Sequence, residues 1–190
     1  LGCCDVIIAT KYSNIGMGGP VMIEGGGLGI FKAEEVGPID VQSANGVVDI
    51  EVANDVEAVS VVRKYLSYFQ GTTSKWEAAD QLRLRDLIPE NNKRAYNVRT
   101  VIKSLADTDS FLELRPKFGP GMITGFIRIE GRPFGLLANN CMHMAGAIEA
   151  EGADKAARLM QICQAHGLPV LSLCDTPGFM VGPEIEKRAQ

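Results

Sequence analysis

Apolar residues in the second half of the chain form two strand-length runs separated by one helix-length pattern. Residues 133–140 (PFGLLANN) and 168–175 (LPVLSLCD) are short apolar runs typical of buried strands. Between them, residues 153–166 repeat apolar positions at i, i+3, i+4 and i+7, which predicts a helix, and Gly167 follows as an expected C-cap. The apolar face consists of Ala156, Leu159, Met160 and Cys163. The strand, helix and strand together predict a βαβ unit with parallel strands.

Two loops leave these predicted strands at the same edge of the sheet. Residues 141–152, rich in small side chains, follow the first strand, and residues 176–183, rich in Pro and Gly, follow the second. Ligands of open parallel sheets bind beyond the carboxyl ends of the strands. We therefore predict a binding site between the two loops.

The first half of the chain predicts a strand, a glycine-rich loop and a helix. A buried strand is expected at 4–10, and the loop at 11–29 is equally a flexible connector or a surface for a ligand. Gly46, in an Asn-Gly pair, predicts a hairpin turn. Asn54 and Glu57 form a capping-box pattern that begins a helix. Its apolar face comprises Val59, Val62, Leu66 and Phe69, and its end is expected at Gly71.

A polar stretch without a steady period, residues 72–95, separates the two halves and is predicted to be a linker. A helix is expected at 96–106. Strands are expected at 110–114, 122–131 and 133–140, the last two joined by a hairpin-type turn. The chain opens inside a predicted strand and stops at a predicted helix start, which is typical of a piece of a longer protein. We assign residues 1–85 and 86–190 to parts of two domains.

Composition narrows the class of protein. Of the 190 residues 46% are apolar and 22% charged, which predicts a globular core. A net charge of −4 without a Lys/Arg cluster argues against nucleic-acid binding, and no apolar run has the ~20 residues of a membrane span. The cysteines are expected to be reduced thiols in a cytoplasmic protein, and Cys163 and Cys174 are expected to be buried. They are Cys3, Cys4, Cys141, Cys163 and Cys174.

Sequence motifs of known chemistry are weak. The DTPG of 175–178 matches a GTPase motif but has no phosphate loop upstream, and GGGLG at 25–29 does not open a helix as a dinucleotide fingerprint would. His143 has no visible partner acid, so a structural role is favoured over catalysis. Asp175 is favoured as a cap of the TPGF turn. No metal site is predicted.

Small residues in both loops leave one kind of chemistry open. Backbone N–H groups within 144–148 and 176–182 could form an oxyanion hole, which needs no catalytic side chain. The same residues are equally explained by tight turns. If the protein is an enzyme, backbone electrostatics is the mechanism that its residues contradict least.

Longer stretches of the sequence carry a family resemblance. The chain resembles the carboxyltransferase component of biotin-dependent acyl-CoA carboxylases, such as acetyl-CoA and propionyl-CoA carboxylase, and most of all the acetyl-CoA carboxylase-like branch. The most specific part is DTPGFMVGPE, at 175–184. The matching stretches are 4–29, 46–59, 89–102, 131–140 and 153–187.

The resemblance implies an α/β fold of the crotonase-like ββα superhelix class, with the end of one domain and the beginning of a second. It implies a transferase that moves CO2 from carboxybiotin to the α-carbon of an acyl-CoA, through an enolate held by backbone oxyanion holes. Implied partners are a biotin carboxyl carrier protein, a biotin carboxylase and a second copy of the chain that completes the site. No membrane or nucleic-acid partner and no metal is implied.

Family roles transfer to three groups of residues. Gly18, Gly19 and Pro20 match the acyl-CoA face. Gly146 and Ala147 match catalytic positions, and Pro177, Gly178 and Phe179 match loops near the biotin cavity. Val21 stands where the related enoyl-CoA hydratases have a catalytic Glu, so hydration chemistry lacks its acid/base.

Departures from the family pattern leave alternatives open. A Gly-Gly segment expected before Leu1 and a Gly-Tyr-Gly segment expected after Gln190 lie outside the chain, so the piece alone is predicted to be inactive. One alternative is the carboxyltransferase subunit of a biotin-dependent sodium-pump decarboxylase. Another is a non-catalytic scaffold.

Overall fold

The computed structural model describes residues 1–91 and 94–187, and the chain forms two compact units, Leu1–Val62 and Arg63–Gln190. The first unit contains β1 (Ile8–Thr10), α1 (Pro20–Gly25), α2 (Ile39–Ala44), β2 (Ile50–Val52) and the start of α3 (Asp55–Ser67). The second contains the end of α3, α4 (Leu84–Leu87), α5 (Val98–Leu105), β3 (Leu112–Leu114), β4 (Met122–Ile129), β5 (Arg132–Asn139), α6 (Ala150–His166), β6 (Val170–Leu173) and α7 (Pro183–Glu186). The assignment of 1–85 and 86–190 to two family domains stays a prediction.

In the first unit, β1 and β2 pair in parallel, with Ile8 opposite Ile50. The predicted hairpin at Gly46 is wrong, because residues 39–44 form α2 and turn Ile39 and Ser43, four residues apart, toward the core. Gly46 instead follows the C-cap of that helix, with φ of 81°. The Asn-Gly pair supplies a left-handed residue, but at a helix end.

The glycine-rich stretch at 11–29 is not a loop throughout, because α1 begins inside it at Pro20. Proline is favoured at the first helical position, where its missing N–H costs nothing. The predicted capping box before α3 is formed in part: Asn54 Oδ1 accepts from the Glu57 N–H at 3.0 Å, but Glu57 Oε2 accepts at 2.7 Å from the N–H of Ala53, one residue before the N-cap. The helix ends at Ser67, earlier than expected.

The second unit is built on a four-stranded sheet in the order β3-β4-β5-β6. The first three strands are antiparallel, and β6 is parallel to β5, as the βαβ pattern predicted. The predicted turn between β4 and β5 is confirmed, with Glu130 and Gly131 both at positive φ. Asp107 accepts hydrogen bonds from both N–H groups of this turn, at 2.9 and 2.7 Å. The core includes Val98, Ile102, Ile123, Ile127 and Leu136.

The predicted linker falls within the second unit, and residues of it are bonded to the rest of that unit. The Thr73 N–H donates to Gly131 O at 3.0 Å, and the Thr108 N–H donates to Glu77 O at 2.7 Å. Because these bonds are made to the sheet turn and to the loop after α5, this part of the stretch is anchored and not a free connection.

Helix α6 crosses between β5 and β6 and ends at Gly167, whose φ of 66° confirms the predicted C-cap. Its buried face is only partly the predicted one: Met160 is 47% exposed, whereas Lys155 and Ile162 are buried. Of the two cysteines expected in the core, Cys163 is buried and Cys174 is exposed. In the described residues no helix has the length and apolar character needed to cross a membrane.

Lys155 is a cation inside this core, 2% exposed, with its Nζ 3.0 Å from Phe118 O. Burial lowers the pKa of Lys155 to about 8, against the attraction of Glu113, which raises it. The folded pKa lies below the unfolded value of 10.5, so the unfolded chain binds more protons between pH 8 and 10.5. Lys155 therefore costs stability below pH 8, and the cost disappears as pH rises toward 10.5.

Replacing Lys155 with methionine should remove this pH dependence. We expect the stability advantage of Lys155→Met over wild type to shrink by about 2 kcal/mol between pH 7 and 9.5, measured as the free energy of unfolding in urea. The exposed Lys103→Met is the matched control and should show no such trend. A constant difference for Lys155→Met would show that its ammonium is not penalised in the folded state.

Candidate functional site

Asn139, the last residue of β5, joins the two loops that were predicted to flank a site. Its Oδ1 accepts from the Asp175 N–H and its Nδ2 donates to Gly146 O, both at 3.2 Å. Asn139 is buried, so its amide has few alternative partners. The carboxyl ends of β5 and β6 are thereby fixed beside one another.

A second contact joins the loops further from the sheet. The Ile148 N–H donates to Gly178 O at 3.0 Å, and the Met180 N–H donates to Ile148 O at 2.8 Å. This forms an isolated parallel bridge between Ile148 and Phe179. The predicted proximity of the loops is confirmed, and backbone bonds set their spacing.

Three consecutive left-handed residues form the turn between them: Met144, Ala145 and Gly146, with φ of 45°, 53° and 83°. Such a conformation costs a non-glycine residue roughly 1–2 kcal/mol, and strain of this kind gathers at functional sites. The N–H groups of Gly146 and Ala147 donate within the turn, to the carbonyls of His143 and Met144. In the described part of the chain, the N–H groups of Met144 and Ala145 have no hydrogen-bond partner.

A cleft of about 220 Å³ lies next to this turn. Binding pockets for drug-sized ligands are typically about 300–1,000 Å³, so this cleft has room for a ring and not for a whole coenzyme. It combines an apolar side with a cation, a carboxylate and a hydroxyl. The lining residues are Ile88, Pro89, Arg94, Ala95, Tyr96, Cys141, Ala145 and Asp175.

Three of these residues form a hydrogen-bonded cluster. The Tyr96 hydroxyl donates to Asp175 Oδ2 at 2.9 Å, and Cys141 Sγ donates to the same oxygen at 3.2 Å. Burial and the bond to Asp175 raise the pKa of Tyr96 well above its usual value, and the same two causes raise the pKa of Cys141. Both groups therefore keep their protons at neutral pH, and Asp175 is the acceptor.

Two interpretations of side chains from the sequence are corrected here. Asp175 does not cap the TPGF turn, because Thr176 Oγ1 takes that role and accepts from the Gly178 N–H at 3.1 Å. His143 does have a partner acid, Glu149, whose Oε1 lies 3.1 Å from its Nε2. Room for this pair depends on Gly121, since a Cβ there would lie 3.3 Å from His143 Cδ2.

The other predicted site residues lie on loops and a helix end. Gly19 is the N-cap of α1, and its carbonyl accepts from the N–H groups of Met22 and Ile23 at 3.0 and 3.2 Å. Gly18 precedes it and Pro20 is the first residue of the helix. In the second unit, Pro177, Gly178 and Phe179 follow Asp175, and Phe179 is 68% exposed. Among the described residues no group of three metal-ligating side chains is found.

The mixed sheet and helices of the second unit make this an α/β protein, and its similarity to solved carboxyltransferase structures places it in the crotonase-like class, as predicted. The model of the carboxyl transferase domain family matches residues 2–189, and the chain belongs to this family. The prediction of family from sequence is confirmed.

Relatives and solved structures agree with this assignment. The chain is 32% identical to the uncharacterized carboxylase YngE of Bacillus subtilis, over 97% of the chain and 38% of the relative. It is 32% identical to the biotin-dependent acetyl-/propionyl-coenzyme A carboxylase beta6 subunit of Mycobacterium tuberculosis, over 96% of the chain and 40% of that protein. The chain thus spans about two fifths of the length of these relatives.

Two solved structures are similar over nearly the whole chain. A single-chain, multi-domain long-chain acyl-CoA carboxylase is 54% identical, with a TM-score of 0.95 over 98% of this chain and 19% of that one. Transcarboxylase 12S, whose structure describes a hexamer with bound methylmalonyl-coenzyme A, is 28% identical, with a TM-score of 0.83 over 96% of this chain and 38% of that one.

Proposed function

We propose that the protein to which this chain belongs transfers a carboxyl group between biotin and the α-carbon of an acyl-CoA. The observation that carries the proposal is the strained turn Met144–Gly146, with two N–H groups that have no partner among the described residues, beside a ring-sized cleft. The family match and the biotin-dependent acyl-CoA carboxylases among the relatives support it. Acetyl-CoA and propionyl-CoA are the proposed substrates.

Biotin, when carboxylated and bound, supplies the CO2. The contribution of this chain is electrostatic: N–H groups held in place stabilise negative charge on a carbonyl oxygen without reorganising during the reaction. We assign this role to Met144 and Ala145, because the N–H groups of Gly146 and Ala147 are used inside the turn. The proposed catalytic contribution of Gly146 and Ala147 is to hold that turn in shape.

The cleft of about 220 Å³, with its apolar and polar sides, is proposed to take the bicyclic ring of biotin. Pro177, Gly178 and Phe179, which lie on the neighbouring loop, are proposed to contact the ring. Gly18 and Gly19 with Pro20 are proposed to form the acyl-CoA face in the first unit, where the lack of side chains lets a ligand approach the backbone. A biotin carboxyl carrier protein, a biotin carboxylase and a second copy of the chain are the proposed partners.

The test is biocytin-dependent release of CO2 from malonyl-CoA and methylmalonyl-CoA by the complete protein that contains this chain. Release that requires both biocytin and the thioester is expected. A folded protein that releases no CO2 from either thioester would overturn the proposal and favour a scaffold role.

Phe179 offers a sharper test of the biotin assignment. We expect Phe179→Ala to raise the KM for biocytin about tenfold, since an exposed aromatic ring supplies about 1–2 kcal/mol of contact, and to leave the KM for malonyl-CoA unchanged. Val181→Ala, which alters another exposed apolar side chain two residues away, is the control and should change neither constant. Equal changes in both constants for Phe179→Ala would count against the assignment.

A further inference from the structure

Among the residues that the structure describes, Asp175 uses only one of its two carboxylate oxygens. Its Oδ2 accepts from both Tyr96 and Cys141, whereas its Oδ1 has no hydrogen-bond partner in the described residues. The side chain lines the cleft and is exposed there. Two donors on one oxygen leave the other oxygen as a free acceptor.

The position of that free oxygen is fixed from three directions. Tyr96 comes from the segment before α5, 79 residues away in sequence, and Cys141 comes from the loop that follows β5. The backbone of Asp175 is held as well, because its N–H donates to buried Asn139. A carboxylate fixed in this way loses little further freedom when a ligand binds, which favours specific recognition.

The two donors also settle what Asp175 can do. Tyr96 and Cys141 both stay protonated and donate to Asp175, so Asp175 acts toward them only as a hydrogen-bond acceptor. The remaining oxygen is an acceptor that fits a ligand N–H or O–H. Arg94, on the same cleft, supplies a positive charge for an anionic part of the same ligand.

We propose that Asp175 is a specificity-determining residue that accepts a hydrogen bond from a ring N–H of carboxybiotin. Tyr96 and Cys141 are the positioning residues that orient Asp175. The proposal rests on the proposed function, in which the cleft holds a cyclic urea. A urea ring with one nitrogen carboxylated keeps one N–H donor, and this is the group that Asp175 would recognise.

The test compares two ligands that differ at this ring. Biotin amide has a neutral urea, and 2-iminobiotin amide has a protonated guanidinium of nearly the same shape, which strengthens a hydrogen bond to a carboxylate. Their dissociation constants are measured by NMR titration of the complete protein. The quantity compared is the dissociation constant of 2-iminobiotin amide divided by that of biotin amide. We expect Asp175→Asn to raise this ratio about tenfold relative to wild type. Arg94 is present in both wild type and Asp175→Asn, so its contribution to ligand binding cancels in this comparison.

Three further variants separate recognition from simple structural damage. Tyr96→Phe, which removes only the hydroxyl, should raise the same ratio by a smaller factor, about threefold. Cys141→Ser keeps a donor and should leave the ratio unchanged. Asp154→Asn removes an exposed carboxylate on α6 and should also leave it unchanged. General loosening of the site would weaken both ligands alike and would not move the ratio.

An unchanged ratio in Asp175→Asn, or failure of both rings to bind wild type, would overturn the proposal. The proposed function is tested separately by turnover. A wild-type protein that releases CO2 with biocytin, while Asp175→Asn leaves the ratio unchanged, would sink this inference and leave the carboxyltransferase assignment standing.

Discussion

Replacing Gly146 with alanine should lower biocytin-dependent turnover by about 100-fold, which is the loss that a displacement of roughly 1 Å at a reacting centre can cause. Gly146 has φ of 83°, and a Cβ built there would lie 2.4 Å from Asp175 O. That contact is with backbone, so the turn or the start of the neighbouring loop must move. The movement would carry the N–H groups of Met144 and Ala145 away from the proposed position of the substrate oxygen. The measurement is kcat with malonyl-CoA at saturating biocytin.

Gly167 provides the matched control for this prediction. Its φ of 66° is equally unfavourable for alanine, but no heavy atom lies within 4 Å of a Cβ built there. Gly167→Ala should therefore cost about 1 kcal/mol of stability and leave kcat unchanged.

A second variant and a folding measurement separate damage to the turn from loss of the fold. Ala145→Gly removes a left-handed alanine without any new contact, so it should be tolerated with kcat within about threefold of wild type. Hydrogen exchange of the β4 and β5 amides shows whether Gly146→Ala is still folded. A folded Gly146→Ala that keeps wild-type kcat would remove the turn from the mechanism.

Periodicity predicted α6 and the strands around it, but it could not predict which side of the helix is buried. Successive residues turn by about 100°, which places Met160 at one edge of the face centred on Leu159 and places Lys155 and Ile162 at the other edge. A lysine counts as polar in any such pattern. Its burial depends on the Phe118 carbonyl, which packing supplies and local sequence does not reveal.

Gly46 shows a different limit. An Asn-Gly pair indicates a residue with positive φ, and both a hairpin turn and a helix end need one. Here β2 pairs in parallel with β1, 42 residues earlier, so the segment before it is free to form a helix. The pairing of β2 with β1, which is distant in sequence, therefore decides that a helix and not a hairpin precedes β2.

The sequence predicted the candidate site only in outline. Two strands of a βαβ unit bring their following loops to one edge, and the sequence contains that unit, so the meeting of Gly146 with the Asp175 loop could be predicted. Tyr96 could not, because it enters from 79 residues away and its hydroxyl has no local pattern. Helix α5, which follows Tyr96 and packs on the sheet through Val98 and Ile102, decides that contact.

Gly135 should be a sensitive position in the sheet, and its sensitivity should depend on one other residue. A Cβ at Gly135, on β5, would lie 2.3 Å from the Sγ of Cys163, which is 1% exposed on α6. The missing side chain is what lets the helix approach the strand. We expect Gly135→Ala to lower the free energy of unfolding by about 3 kcal/mol, through overpacking of a core that cannot expand.

Removing the sulfur should relieve that clash. Cys163→Ala alone should cost about 1 kcal/mol, as a small buried group is lost. If the contact is the cause, the Gly135→Ala/Cys163→Ala double variant should recover about 2 kcal/mol relative to Gly135→Ala, which corresponds to a coupling of about 3 kcal/mol in a double-mutant cycle measured in urea. Energies that simply add would show that the two positions do not meet.

Gly125 tests whether the rescue is specific. A Cβ there would lie 2.2 Å from Leu112 O, a backbone atom that no side-chain substitution can remove. Gly125→Ala should be destabilising, and adding Cys163→Ala should not rescue it. Burial raises the pKa of the Cys163 thiol to about 11, so at neutral pH it is an uncharged packing group. Its size, matched to a glycine on the facing strand, then sets how closely α6 lies against the sheet whose ends carry the candidate site.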